Sequence, residues 1–194
     1  MTASSPSRIR LPASQRRAAI LAAAKGVFGR SGYHAATVRD VAAAAGVSEA
    51  LLYQHFAGKR ELFTELVRAA AEDLERRVLA ARALARDDAA GVEAYFDFVE
   101  QESELYRVFF QALPEDPGFQ QLRRELWRRF TGLLREATGV SEAGARGLAG
   151  MLNELALWWL EDAGLSKAVV VDRAVRYARA VCETEVDDGR AGPD

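Results

Sequence analysis

The chain has 194 residues, 49% of them apolar and 28% charged, with a formal net charge of −2. Its single cysteine, Cys182, excludes an internal disulfide and a cysteine-rich zinc site. No apolar run approaches the ~18 residues that a membrane span needs, so the expectation is a cytoplasmic protein with no membrane partner.

Alanine, leucine, arginine and glutamate dominate, prolines number five, and no segment alternates with period two, which predicts an all-α fold. Residues 1–12 have no apolar periodicity and read as a flexible basic arm containing Arg8 and Arg10. Ile20, Ala23, Val27 and Phe28 recur at helical spacing, giving a first helix over about 13–30 with Gly32 as its stop. Thr37 with Asp40 forms a capping box before Val38, Val41, Ala42 and Ala45. Gly46 supplies a turn, and Ser48 caps a short third helix. A long fourth helix over about 59–85 follows, then about five more, with breaks at 86–91, 113–118, 138–144 and 162–167 and a further junction near Ser103. The expected organisation is a helix-turn-helix module at 13–58, a helical bundle at 59–187, and a disordered tail at 188–194, about nine helices in all.

Charge divides along the same line. Residues 1–60 carry nine Lys and Arg against two Asp and Glu, a net of +7, while residues 61–194 carry 17 against 26, a net of −9. A basic first module on an acidic remainder points to a polyanion partner for the first. The stretch "GVSEALLYQHF" (46–56) fits that partner. Its second helix offers Leu52 to a small core and leaves Glu49, Ala50, Leu51, Tyr53, Gln54 and His55 on the outer and flanking face, where a recognition helix meets the major groove.

From Arg17 to about Leu66 the sequence resembles the TetR family of bacterial transcriptional regulators. The resemblance is carried by Phe28, Gly32-Tyr33, Thr37, Val41-Ala42, Ala45-Gly46-Val47-Ser48, Leu52-Tyr53, His55-Phe56, Lys59 and Leu62. It implies an N-terminal DNA-binding module that binds a palindromic operator, and a C-terminal helical module that binds a small-molecule effector and forms a homodimer. By position it implies DNA contacts at Thr37, Ser48, Ala50, Leu51, Tyr53, His55 and Lys59. Arg39 and Gln54 join them on chemistry alone, since arginine pairs with guanine and glutamine with adenine. Many family members carry Gly-Thr where this chain has Ala50-Leu51, which removes a hydroxyl from the interface.

The remainder is rich in large apolar side chains, and a pocket between helices is expected from Phe96, Val99, Phe110, Trp127, Met151 and Leu155. The last two helices, about 141–162 and 166–186, are apolar on more than one side, as a dimer seam requires. Both histidines fall in the first module, and no His-x-x-x-His pair, Gly-x-Ser-x-Gly elbow or phosphate-binding loop occurs, so neither an enzyme nor a cofactor is expected. The resulting reading is a ligand-responsive transcriptional repressor. The alternative is a small-molecule-binding or protein-interaction module with a vestigial DNA-binding segment.

Overall fold

A computed structural model describes residues 12–85, 88–111 and 115–188. The expected arm at 1–12, with Arg8 and Arg10, and the tail at 188–194 lie outside these residues except for Pro12 and Asp188. Among the described residues there are nine α-helices: α1 (Ala13–Ala35), α2 (Val38–Ala44), α3 (Glu49–Tyr53), α4 (Lys59–Ala85), α5 (Asp88–Gln101), α6 (Ser103–Gln111), α7 (Pro117–Thr138), α8 (Glu142–Glu161) and α9 (Lys167–Asp188). The chain forms two compact units, Met1–Leu66 and Val67–Asp194.

The unit boundary falls later than the 58/59 division expected from sequence. The reason is that Leu62, Phe63 and Leu66, in the first turns of α4, are buried and belong to the first core. Phe63 meets Phe28 edge-on at 5.1 Å and Tyr33 at 5.2 Å. Ile20, Ala24, Val41, Ala42, Leu52 and Phe56 complete that core. Its end is closed by Arg17, whose guanidinium lies 4.6 Å above the Phe56 ring and pairs with Glu65. Helix α1 runs beyond its expected end to Ala35, but Gly32 breaks its path at φ +70°, ψ 171°, so the glycine interrupts the helix without ending it.

In the second unit the core gathers Val78, Tyr95, Phe96, Phe98, Val99, Leu152, Ala156, Val170 and Ala174. Helix α7 is defined at both ends: Asp116 accepts from the Gly118 N–H at 2.8 Å with Pro117 in the first turn, and Gly139 closes the other end at φ +75°. Two bidentate arginines tie α7 to the second-unit part of α4, Arg129 to Glu75 at 3.0 and 2.8 Å and Arg68 to Glu125 at 3.0 and 2.8 Å. Ser141 caps α8 and donates its hydroxyl to Glu185 at 2.9 Å, which joins the start of α8 to the last turns of α9. Val171 packs on the core and Val175 lines a small 160 Å³ cavity, while Trp158, Val169 and Tyr177 are exposed large apolar side chains of α8 and α9.

Candidate nucleic-acid interface and effector cavity

The helix-turn-helix is built from local hydrogen bonds. Thr37 accepts from the Asp40 N–H at 3.1 Å, and the Asp40 carboxylate accepts from the Thr37 N–H at 3.0 Å and its hydroxyl at 2.6 Å. Those bonds from Thr37 hold the Asp40 carboxyl below its ordinary range. At the other end of α2, the Val47 N–H donates to the Ala42 carbonyl at 3.0 Å and the Gly46 N–H to that of Ala43 at 3.1 Å. This is a Schellman closure, and it needs the left-handed residue that Gly46 provides at φ +66°. A Cβ at Gly46 would have open space, so the constraint there is φ alone. Ser48 then starts α3 by accepting from the Leu51 N–H at 3.2 Å.

This turn leaves Ala50, Tyr53 and Gln54 exposed, with Tyr53 53% accessible, while Leu51 and His55 are half-buried. The side chains of Tyr53 and Gln54 make no hydrogen bond among the described residues, so their polar groups are available to a partner. Two of the other expected contacts, Thr37 and Arg39, are already engaged, whereas the His55 imidazole makes no hydrogen bond among the described residues. The Thr37 hydroxyl is spent in the capping box. Arg39 pairs with Glu49 at 3.0 Å, a bond that links α2 to α3.

Lys59 stands differently from its expectation as a phosphate-binding point charge. Its ammonium donates to the carbonyls of Tyr33 at 2.9 Å, His34 at 3.1 Å and Ala36 at 3.1 Å, and lies 4.6 Å over the Tyr33 ring. A lysine has three N–H donors, and all three are used in closing the end of α1. The carbonyls it serves lie more than twenty positions earlier, which is why spacing within the motif does not show them.

The second unit holds a cavity of about 870 Å³, within the size range of small-molecule sites. Phe110 and Trp127 line it, as expected. Phe96 and Val99 do not: both are fully buried core residues. Met151 and Leu155 pack, half-buried, against that core and are also absent from the cavity wall. Core and cavity wall draw on the same apolar residues, so composition alone could not separate them. The apolar wall comes instead from Leu74, Phe98, Leu105, Phe109 and Phe130 beside the two residues expected.

Sequence reading also missed the polar part of the wall. Tyr106 donates to the Asn153 Oδ1 at 2.7 Å, and its oxygen lies 2.6 Å from the Tyr95 hydroxyl. With the Tyr106 proton committed to Asn153, Tyr95 is the donor of the shorter bond. Burial pushes both phenols well above their ordinary range, so the chain is neutral. Four arginines, Arg123, Arg124, Arg128 and Arg146, complete the wall together with Glu102. The recoverable signal was Arg123, which falls one and two turns before Trp127 and Phe130 on the apolar face of α7.

Residues 20–66 match the family described as bacterial regulatory proteins, tetR family. Over 106 residues, 53% of this chain, the sequence is 42% identical to the HTH-type transcriptional activator FasR of Mycolicibacterium smegmatis. Residues 20–66 therefore carry the DNA-binding domain of the TetR family of transcriptional regulators. TetR-type regulators are DNA-binding proteins and not enzymes. A 55-residue stretch, 28% of the chain and 28% of the relative, is 44% identical to the HTH-type transcriptional repressor KstR2 of Mycobacterium tuberculosis. The FasR match covers 48% of that protein, so the chain spans about half the length, or less, of the curated relatives it matches. A TetR-family regulator from Streptomyces coelicolor superposes with a TM-score of 0.75 at 21% identity, covering 91% of this chain and 84% of that one, which shows the TetR-like fold across both units. Among the described residues, no helix is long and apolar enough to cross a membrane and no group of His, Cys, Asp and Glu is placed to hold a metal ion.

Proposed function

We propose that this chain is a cytoplasmic, homodimeric repressor that binds a roughly palindromic operator through α2 and α3 and releases it when an apolar or amphipathic effector enters the cavity of the second unit. The observation that carries the reading is the Schellman turn at Gly46, which sets α3 against α2 and leaves Ala50, Tyr53 and Gln54 facing outward without partners among the described residues. Two copies are needed to read two half-sites. The exposed Trp158, Val169 and Tyr177 supply apolar surface for that pairing. Helix α4 contributes residues to both units and is the proposed carrier of the coupling.

The test is binding to DNA fragments of the source genome, followed by titration of salt. Specific binding through six or more phosphate contacts should weaken by about a thousandfold between 50 and 200 mM salt. An isotherm that ignores both salt and sequence sinks the proposal and favours the vestigial-segment alternative. Sedimentation should show a dimer that Tyr177→Arg splits.

Activation is a second reading, favoured by the longer match to an activator than to a repressor. A reporter with the recovered operator separates the two: deletion of the regulator raises expression under repression and lowers it under activation.

A further inference from the structure

The cavity's charge is opposite to that of the unit that contains it. Residues 67–194 carry 17 Lys and Arg against 24 Asp and Glu, a net of −7. The cavity wall carries four arginines against one glutamate, a net of +3. Several cationic groups on and beside the cavity wall are engaged. Arg129 is held by Glu75, the Arg128 Nε by the Arg124 carbonyl at 3.3 Å, and Arg146 by Glu142 at 3.2 Å. Arg123 differs in burial: its Nε is buried and has no hydrogen-bond partner, whereas Arg124, whose guanidinium also makes no hydrogen bond among the described residues, is exposed to solvent. An unsatisfied donor on a permanently charged, partly buried group is costly, and a bound anion removes that cost.

The placement of this arginine also defines a ligand shape. Arg123 and Phe130 are seven residues apart on α7, about 10 Å along the helix. Phe130 stacks on Tyr95 at 5.6 Å, so Tyr95, which starts the neutral Tyr95–Tyr106–Asn153 chain, lies beside one end of this span and the arginine marks the other. Phe98, Phe109, Phe110 and Trp127 contribute the apolar wall.

We propose that the cavity binds an elongated apolar molecule ending in a carboxylate or phosphate, with Arg123 as the anchor of that anionic head. The proposal rests on the reading of this cavity as the effector site and names the ligand class. The experiment is calorimetric titration of the full chain, without DNA, with dodecanoate, dodecyl phosphate and dodecanol. Both anions share a chain length with the alcohol, so the difference isolates the head group.

At least one anion should bind about tenfold or more tightly than dodecanol, the return expected of one charge-assisted hydrogen bond. The tighter of the two identifies the head group. Rising salt should erode the advantage, since the neutral alcohol has none to lose. Arg123→Gln should abolish the preference and keep the alcohol's affinity, whereas Arg135→Gln, on the same helix but outside the cavity wall, should change neither. Equal affinity for all three probes, no binding of any, or a preference that survives Arg123→Gln overturns the assignment. The salt series on the unmodified chain decides it even where Arg123→Gln fails to fold. Operator binding measured separately keeps the outcomes apart: a chain that holds its operator but ignores the anions refutes the ligand class alone.

Discussion

The two units place their positive charge in opposite ways. The first, with nine Lys and Arg against four Asp and Glu over residues 1–66, is basic as a whole and presents a recognition face around α3. The second is acidic overall and keeps four arginines on the wall of a half-open cavity. A surface that meets a polymer of phosphates gains from charge spread over an area, because each contact releases counterions into solvent. A cavity that meets one small molecule gains from a single donor held where water does not satisfy it. Under the proposed reading the same residue type serves long-range attraction in one unit and selection of a head group in the other.

The largest expected effect tests whether the first unit's recognition face depends on its aromatic core. Phe63 is fully buried against Phe28 and Tyr33. Phe63→Ala should cost about 3–5 kcal/mol, seen as a lowered urea midpoint with loss of operator binding. A midpoint shift below about a third of that would show that the Phe28–Tyr33 pair carries the packing without it.

A smaller effect sharpens the contrast between charge that attracts and charge that builds. Lys59→Met leaves three carbonyls without their donor and should cost about 2 kcal/mol of stability. If the lysine serves α1, the slope of log affinity against log salt stays that of the unaltered protein. A phosphate contact would instead reduce the slope by about one. Next is the turn: Gly46→Ala meets no steric obstacle but must hold φ +66°, at a cost of about 1 kcal/mol. Thermal denaturation reads it, and an unchanged midpoint would mean the turn relaxes.

The smallest effect is that of pH on the capping box. Asp40 has its carboxyl lowered by its bonds from Thr37, so the box contributes fully above the ordinary value of 3.8 and is lost as pH falls through the lower folded value. Asp40→Asn should flatten that part of the stability profile; a profile that keeps its full slope below pH 3.8 assigns the acid sensitivity to other carboxylates.

The same contrast governs what could be read from sequence. Thr37, Gly46 and Ser48 obey rules that act within five residues, so the nine-helix order, the cap positions and the recognition helix were legible. The arm at 1–12 and most of the tail fall outside the described residues. The cavity obeys no local rule. Tyr95, Tyr106, Arg123 and Asn153 come from α5, α6, α7 and α8 and meet only through packing. Phe96 follows Tyr95 directly and precedes Phe98 by two positions, and its sequence position alone does not say that its ring points to the core while those of Tyr95 and Phe98 border the cavity. The carbonyl partners of Lys59 were hidden for the same reason, since residues 33–36 come close only when α1 ends beside α4.

The position of Trp127 also gives the cavity an optical reporter. It is half-buried on the cavity wall, whereas the other two tryptophans lie off that wall: Trp158 is 39% exposed and Trp159 packs edge-on to Phe96 at 5.9 Å. Indole emission is sensitive to the polarity of its surroundings, and here three indoles in different surroundings contribute to one spectrum. Replacing Trp158 and Trp159 with phenylalanine leaves a single fluorophore in contact with whatever fills the cavity. Its emission maximum would then follow the exchange of water for a less polar ligand, so that occupancy can be observed in real time without labelling ligand or DNA.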